Sequence, residues 1–546
     1  MIKHKLTNQN LDLKESICKR ITNPFYLIAV ALTALGAYGF YLANPSPSID
    51  WLSYDRYYSG VLFGQGRFTA TIVERMLNLW DCPVWFEPLL GLVCFILGTL
   101  IMLAIFDGFT EYRSIVPSIV FSCIYISFPL LAEYFIYNGA ILTVGGCTVL
   151  LSLALYFSIK YSDIWRCLIL PTVLMMFVFS WYECLILPYV GMVFALLIFH
   201  TSNENKVKLR TIFSNGFPFA LVLFSSSVFE FIFTKILIKL FSISVNHNAN
   251  YGINWYISIL AFRNLFFSYI RNWVAMCFGN IAFTVLAVFF IVFLVIIIFD
   301  TLKHKSFARF LLFIGILIPL FFMTLLRCGG KEYRTEQGMP FFVAFVFYFI
   351  AQTIKVKKQT LKRIFAASFV FILILQIGGS NRAYWINNQR YEEEKNLILN
   401  INGLLTHEHD IQKPVVFIGN IRLSDNFNRK IVAEKNTITE KIAQKFSYDG
   451  NDELEIHLYD YLGSSYINWS INYPLDPQNP NSELYKFCDY IGVSYKHCTK
   501  DQFEDAQKRY AGLPSYPNKG YAVENDEYIV VNLGDVHNAN LSQNNK

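Results

Sequence analysis

The sequence predicts a polytopic α-helical membrane protein with a water-soluble α/β domain at its C-terminal end. Of its 546 residues, 54% are hydrophobic and only 16% are charged, and its mean hydropathy is +0.38. Soluble domains carry about 25% charged residues. The deficit lies in the first 380 residues. There, apolar runs recur at the length of about 20 residues that crosses a bilayer as a helix.

Eleven such runs predict eleven membrane-spanning helices. Lys and Arg are concentrated in every second connecting segment, starting with the N-terminus, and this pattern places the N-terminus in the cytoplasm. An odd number of spans then places residues 380–546 outside, after a cytoplasmic segment 1–24 and a transmembrane domain 25–379. No cleavage site follows the first run, so we interpret it as a permanent anchor. The predicted spans are 25–43, 84–106, 116–136, 139–159, 166–181, 184–200, 216–241, 276–299, 310–326, 338–353 and 363–379.

The tail beyond Ile377–Gly379 has the composition of a water-soluble domain. Its segments "KPVVFIG" and "EYIVVNL" predict short buried strands. The segments "AYWINNQRYEEEKNLILNINGLL" and "KDQFEDAQKRYAG" predict helices. Cys488 and Cys498 are the two cysteines of this tail. In an oxidising compartment they are candidates for a disulfide, and two unpaired thiols are the alternative.

The first outer loop contains an amphipathic segment, "RFTATIVERMLNLW", from Arg67 to Trp80. Its apolar residues share one helical face and its polar residues the other, as in a helix that lies in the headgroup plane. The turn "GQG" precedes it, so the stretch from Asp50 to Arg56 is held at headgroup depth. The net charge of +6 arises mainly from the inner loops and does not indicate nucleic-acid binding.

Charged side chains cluster at the outer ends of the spans, where they indicate function. Headgroup anchoring is the alternative for such residues, but acids beside anionic headgroups are poor anchors. The clusters are Asp50, Asp55, Arg56 and Arg67 in the first loop, Tyr182 and Glu183 between the fifth and sixth spans, and Arg327, Lys331, Glu332, Arg334, Glu336 and Gln337 before the tenth.

Glycosyl transfer from a lipid phosphate needs this combination of acids and arginines. A carboxylate accepts the proton of the attacking hydroxyl, and arginine grips the phosphate that leaves. We expect Asp50 to be the base, with Asp55 as the second choice. Divalent cations such as Mg²⁺ or Mn²⁺ bind carboxylate pairs, but no ligand set is evident, so no cofactor is assigned. The other expected roles are donor-phosphate binding by Arg56, Arg67, Lys331 and Arg334, and sugar contacts by Tyr182, Glu183 and Glu336.

Several motifs, taken in order, resemble one family. They are "GQGRF" after the early Asp, "SWYE" at a span junction, "YRTEQGMP" before a late span, "KPVVFIGN", and "LPSYPNKGYAVENDEYIVVNLG" near the end. The chain resembles the type II family of serotype-converting O-antigen glucosyltransferases, which have the GT-C superfold. It departs from the family at two positions. The family often has two adjacent acids where this chain has Asp50-Trp51, and it often has Tyr-Gln where this chain has Tyr182-Glu183.

The resemblance implies a glycosyltransferase of the bacterial inner membrane with a periplasmic active site, and leaves open whether it is inverting or retaining. Its donor would be undecaprenyl-phosphate glucose, and its acceptor the lipid-linked O-antigen repeat. Partners would be a small flippase and a cytoplasmic enzyme that makes the donor. The alternatives are a flippase or transporter of a lipid-linked sugar and an O-antigen polymerase. A transporter would carry its charges near mid-bilayer.

Overall fold

The structure is a computed structural model, and its described residues form two compact units. The first unit is drawn from 1–43, 56–382 and 431–456, and the second from 44–55, 383–430 and 457–546. The described residues are 11–48, 52, 66–79, 82–110, 114–136, 140–202, 207–242, 281–304, 306–320, 335–353, 359–421, 430–432, 455–457, 465–472, 476 and 478–534.

The first unit is helical. A π-helical turn, Trp165–Ile169, and a 3₁₀ turn, Glu183–Leu185, precede two of its helices. The helices are α1 (Leu13–Ile21), α2 (Pro24–Ala43), α3 (Phe68–Leu77), α4 (Phe86–Asp107), α5 (Ile115–Ile126), α6 (Leu130–Ile136), α7 (Ala140–Lys160), α8 (Leu170–Trp181), α9 (Ile186–His200), α10 (Leu209–Leu240), α11 (Ile281–His304), α12 (Phe307–Gly315), α13 (Gly338–Thr353) and α14 (Gln359–Glu408).

Several helices are compatible with a membrane protein. In the described part of the chain, six are long and apolar enough to cross a membrane, or up to seven if α5 and α6 form one bent span. At least one helix overlaps each of the eleven predicted segments. Some of these helices are shorter than a bilayer-crossing helix, so the number of eleven spans stays a prediction.

The predicted third span is broken rather than continuous. The axes of α5 and α6 differ by 49°. The break falls at Ser127–Pro129, where proline removes a backbone donor and disfavours a straight helix. Neighbouring side chains satisfy the polar groups of the break, since the Tyr38 hydroxyl donates to the Ile126 carbonyl and Ser127 Oγ donates to Gln376 Oε1 at 2.8 Å. Such partners make a break tolerable in an apolar medium.

Two arginines from the segments that are predicted to be cytoplasmic are buried in the first unit. Arg20 is 2% exposed and pairs with Asp107 of α4 at 2.9 Å. Arg309 pairs with Asp300 and donates to the carbonyl of Thr201 at the end of α9. The Arg20–Asp107 pair connects helices that are far apart in sequence, and Arg309 links the consecutive helices α11 and α12 to the distant end of α9. Both arginines therefore have a packing role that their position in a basic segment does not reveal.

Helix α14 passes through the predicted domain boundary without interruption. It has 50 residues, which corresponds to about 75 Å at 1.5 Å per residue. A Cβ on Gly378 would meet no atom within 4 Å. The change of composition near Ile377–Gly379 is therefore not a break in secondary structure, because two glycines can be accommodated inside a long helix.

The second unit is a small mixed α/β structure. Strands β1 (Val415–Ile418) and β5 (Ile529–Asn532) pair in parallel, and β4 (Ala522–Glu524) joins β5 antiparallel. Both parallel strands are fully buried and fall on the two predicted strand segments. A separate two-stranded sheet pairs β2 (Lys430–Val432) with β3 (Glu455–His457), and most of its residues belong to the first unit. The remaining helices are α15 (Tyr466–Asn472), α16 (Ser482–Tyr490) and α17 (Lys500–Arg509), the last of which lies in the predicted "KDQFEDAQKRYAG" segment.

Cys488 and Cys498 are both free thiols in this unit. Cys488 is fully buried in the core, and Cys498 Sγ lies 3.7 Å from Asn481 Oδ1. Burial raises the pKa of both thiols. The structure thus has the unpaired thiols rather than the disulfide that the sequence also allowed.

A half-buried carboxylate of β4, Glu524, forms a contact in the second unit that is sensitive to acid. Lys413 Nζ donates to Glu524 Oε1 at 2.6 Å, and with the backbone N–H of Asp410 this lowers the pKa of Glu524 from 4.5 to about 2. A depressed carboxyl pKa stabilises the folded state above the unfolded pKa, and the stabilisation is lost as the pH falls through the folded pKa.

We therefore expect Lys413→Met to increase hydrogen exchange in β4 and β5 at pH 7. This increase should become smaller as the pH falls from about 4.5 towards about 2. Hydrogen exchange of peptides covering 522–532, compared with wild type at each pH, measures this effect. Lys508→Met, on α17, is the control for a lost positive charge. A difference from wild type that is as large at pH 3 as at pH 7 would contradict this account.

Candidate active site

The predicted amphipathic segment of the first loop forms helix α3, but its faces differ from the sequence interpretation. Thr71 is fully buried and Glu74 is 7% exposed, although both belong to the polar face. The apolar residues Ile72, Met76 and Leu77 are instead exposed, Met76 to 79%. In water the exposed side of a helix is polar. This partly reversed pattern is compatible with a helix that directs some of its apolar side chains towards lipid and some of its polar side chains towards protein.

Arg67, at the N-terminal end of α3, joins two of the clusters predicted from the sequence. Its Nη2 lies 3.7 Å from Glu183 Oε1, and its guanidinium carbon lies 4.9 Å from the centre of the Tyr182 ring. Arg67 and Glu183 are 28% and 46% exposed. Half-exposed pairs of this kind contribute little to stability.

The end of α8 fixes the position of Tyr182. A Cβ on Gly146 of α7 would lie 2.3 Å from the Trp181 ring, so glycine allows that ring to pack against the α7 backbone. Tyr182 then adopts an extended conformation, with φ −161° and ψ 110°, before the 3₁₀ turn. Its ring meets buried Tyr134 of α6 edge-on at 6.2 Å between centroids. These contacts hold the ring on which Arg67 stacks.

A further carboxylate, Glu230 of α10, lies beside Gly66, the residue that precedes Arg67. Its Oε1 accepts a hydrogen bond from Thr234 Oγ1 at 2.7 Å, and a Cβ on Gly66 would lie 2.9 Å from that oxygen. Sequence analysis did not assign Glu230 to the site because it stands within a predicted span. A charged residue in such a run is itself a signal of function. Arg67, Tyr182, Glu183 and Glu230 are called the Arg67 cluster below.

Gly66 cannot be replaced without disturbing the Arg67 cluster. Its φ of +83° is unfavourable for residues with a Cβ by about 1–2 kcal/mol, and its Cα faces Glu230. We expect Gly66→Ala to lower the rate of catalysis about tenfold or more, since small misplacements of positioning groups carry large kinetic costs. Gly39→Ala is the control, because a Cβ there would meet nothing within 4 Å. Equal turnover by the two purified variants would contradict this role of Gly66.

Of the other predicted site residues, only Glu336 is described. It is 3% exposed and directly precedes α13, whose residue Met339 donates its backbone N–H to the Glu336 carbonyl at 3.0 Å. The remaining predicted residues, Asp50, Asp55, Arg56, Lys331 and Arg334, lie outside the described part of the chain.

The described neighbours of Asp50 in sequence belong to the second unit. Asn387 Nδ2 donates to Ser46 Oγ at 2.6 Å, and Leu52 packs against the core of that unit. Among the described residues no group of three or more His, Cys, Asp or Glu side chains could hold a metal ion. The described chemistry is thus one arginine, two carboxylates and a tyrosine, which suits the binding of a phosphate and of sugar hydroxyls.

A family model described as Glucosyl transferase GtrII matches residues 39–351. This is more than half of the 546 residues. The chain belongs to the GtrII glucosyl transferase family. Membership confirms the resemblance seen in the sequence and identifies the chain as a glycosyltransferase.

The GtrII match covers helices from within α2 to within α13, and so includes the whole Arg67 cluster. It also includes the predicted residues Asp50, Asp55, Arg56, Lys331, Arg334 and Glu336. It ends before α14, and of the second unit it includes only residues 44–55. No curated protein and no solved structure matches the chain.

Proposed function

We propose that this GtrII-family chain transfers glucose from a polyprenyl-phosphate donor to the O-antigen repeat of lipopolysaccharide. The single observation that carries the proposal, beyond family membership, is the Arg67 cluster. It combines a half-exposed arginine with carboxylates and an aromatic ring at the ends of apolar helices. A donor with a lipid tail, a phosphate and a sugar needs those groups at such a position.

The reaction forms a bond between the sugar carbon and an acceptor oxygen and breaks the bond from that carbon to the donor phosphate. Asp50, or Asp55 as the second choice, removes the proton of the acceptor hydroxyl. Arg67, with Arg334, Arg56 and Lys331, stabilises the departing phosphate. The sugar hydroxyls contact Tyr182, Glu183 and Glu336, and the assignment of Glu230 extends this set. A divalent cation is not required by these roles.

The proposed location is the bacterial inner membrane, with eleven spans, the N-terminus in the cytoplasm and the active site in the periplasm. The alternation of basic and neutral connecting segments supports this topology. The second unit would then lie in the periplasm, where it positions the acceptor polysaccharide. A cytoplasmic enzyme would make the donor and a small flippase would deliver it, and the product is a modified O-antigen, which changes the serotype.

The bent α5–α6 pair is the observation that favours the transporter alternative. Transporters place charges on broken helices, and buried Glu133 lies in the first turn of α6. However, the neighbouring residue Tyr134 contacts Tyr182, so the break also serves to position the Arg67 cluster. Membership of a glucosyl transferase family supports a glucosyltransferase better than it supports a transporter, and also better than it supports a polymerase.

A transfer assay with purified full-length protein tests the proposed function. The protein is given radiolabelled undecaprenyl-phosphate glucose and lipopolysaccharide, and in parallel UDP-glucose in place of the lipid donor. We expect label in lipopolysaccharide only with the lipid donor. Transfer from UDP-glucose alone would overturn the donor class. Absence of transfer from both, together with movement of the lipid donor across vesicle membranes, would favour the transporter.

A further inference from the structure

An open groove of about 470 Å³ lies between α8 and α10. Ligand sites typically have volumes of about 300–1,000 Å³. The groove follows two nine-residue stretches, 168–176 of the π-helical turn and α8 and 225–233 of α10, or about 12 Å along the helix axes. Its walls are apolar except for the hydroxyls of Thr172 and Ser225. One wall includes Leu168, Thr172 and Met176, and the other includes Ser225, Phe229 and Phe233.

The two walls are held together by a direct contact. Ser226 Oγ donates to the Thr172 carbonyl at 3.0 Å, and both residues are buried. The groove is therefore bounded by packed helices rather than by mobile side chains. Phe229 and Phe233 remain 54% and 39% exposed along it, so an apolar chain that entered the groove would cover these rings.

One end of the groove adjoins the Arg67 cluster. The Phe233 ring lies 5.1 Å from the ring of Phe68, the residue that follows Arg67. Phe229 directly precedes Glu230 in α10. An apolar chain in the groove would thus end where an arginine and two carboxylates begin.

We propose that this groove binds the isoprenoid tail of the donor, with the donor phosphate and sugar at the Arg67 cluster. The inference rests on the proposed function, and it assigns a binding site to the isoprenoid tail, which does not take part in the reaction. The molecule that fits must be apolar along one end, anionic at a junction and rich in hydroxyls beyond it. Arg67 matches the phosphate, and the carboxylates of Glu183 and Glu230 accept hydrogen bonds from sugar hydroxyls. A phospholipid with two acyl chains fits a groove between two helices less well than a single chain does.

Consecutive serines of α10 provide a matched pair of variants. Ser225 lines the groove, whereas Ser227 is exposed and is not part of it. Ser225→Trp fills the groove, and we expect it to lower kcat/KM at least tenfold for undecaprenyl-phosphate glucose but less than twofold for a donor with two isoprene units. Ser227→Trp should change neither by more than twofold. The proposal is overturned if the folded Ser225→Trp protein behaves like Ser227→Trp, or if its kcat/KM falls equally for both donors.

Photolabelling of the wild-type protein tests the groove without any variant and without transfer. The probe is undecaprenyl phosphate with a diazirine in its tail. We expect label on peptides that contain 168–176 and 225–233, displaced by undecaprenyl phosphate but not by phosphatidylglycerol. Label elsewhere, or equal displacement by the phospholipid, would overturn the groove. Groove labelling without glucosyl transfer would instead contradict the proposed function, and transfer without groove labelling would contradict the groove alone.

Discussion

Replacement of Asp50 by Asn is expected to lower kcat for glucosyl transfer by about 10²–10⁴-fold, the range that general acid–base catalysis contributes. The acceptor hydroxyl cannot attack the sugar carbon efficiently unless a group accepts its proton. Asn keeps the shape of the side chain but cannot accept that proton. Because donor binding does not depend on the base, the KM for undecaprenyl-phosphate glucose should change little. Asp55→Asn should have the smaller effect.

The dependence of the rate on pH distinguishes a base from a structural residue. The wild-type rate should fall at low pH as the catalytic carboxylate becomes protonated, whereas the residual rate of Asp50→Asn should lack that fall. Asp163→Asn is the control, because that carboxylate is 46% exposed and pairs with nearby Arg166 away from the Arg67 cluster. Wild-type rates in both Asp50→Asn and Asp55→Asn would show that neither is the base. A larger loss in Asp55→Asn than in Asp50→Asn would exchange their roles.

The positions of the helices could be predicted because a bilayer requires long apolar runs with internal hydrogen bonds. The break at Ser127–Pro129 could not be predicted, since it depends on Tyr38 and Gln376 from distant helices. The eleventh span was predicted to end at 379, at Gly378 and Gly379, whereas α14 continues to Glu408. Such local signals are weak, and tertiary packing decides between the alternatives.

Three members of the Arg67 cluster were predicted, but neither Glu230 nor the assembly of the cluster was. Arg67 and Glu183 stand at separate loops of the sequence, and hydrophobic patterns do not indicate which loops meet. The second feature that the sequence did not predict is which face of α3 is buried. The polar face of α3 was expected to face water, whereas Thr71 and Glu74 are buried. Periodicity identifies the two faces of a helix, but it does not tell which of them packs against protein when lipid is also a solvent.

Replacement of Arg67 by Ala is expected to lower kcat/KM for the lipid donor about 100-fold or more, the effect of removing one donor that stabilises developing charge. Arg67→Lys should recover only part of this loss. Lysine keeps the positive charge, but it lacks the planar fork that binds phosphate bidentately and stacks on Tyr182. The assay is the same transfer of radiolabelled glucose to lipopolysaccharide, with KM and kcat measured separately.

Arg75→Ala is the matched control, because Arg75 lies on the same helix, is exposed and stands outside the Arg67 cluster. It should retain wild-type kcat/KM within about twofold, as expected for a surface charge. Added guanidinium should partly restore Arg67→Ala and leave Arg75→Ala unchanged, because only the first lacks a group that the reaction uses. If Arg67→Ala keeps more than half of the wild-type kcat/KM, the arginine does not bind the donor phosphate, and the contact with Glu183 is only a surface ion pair.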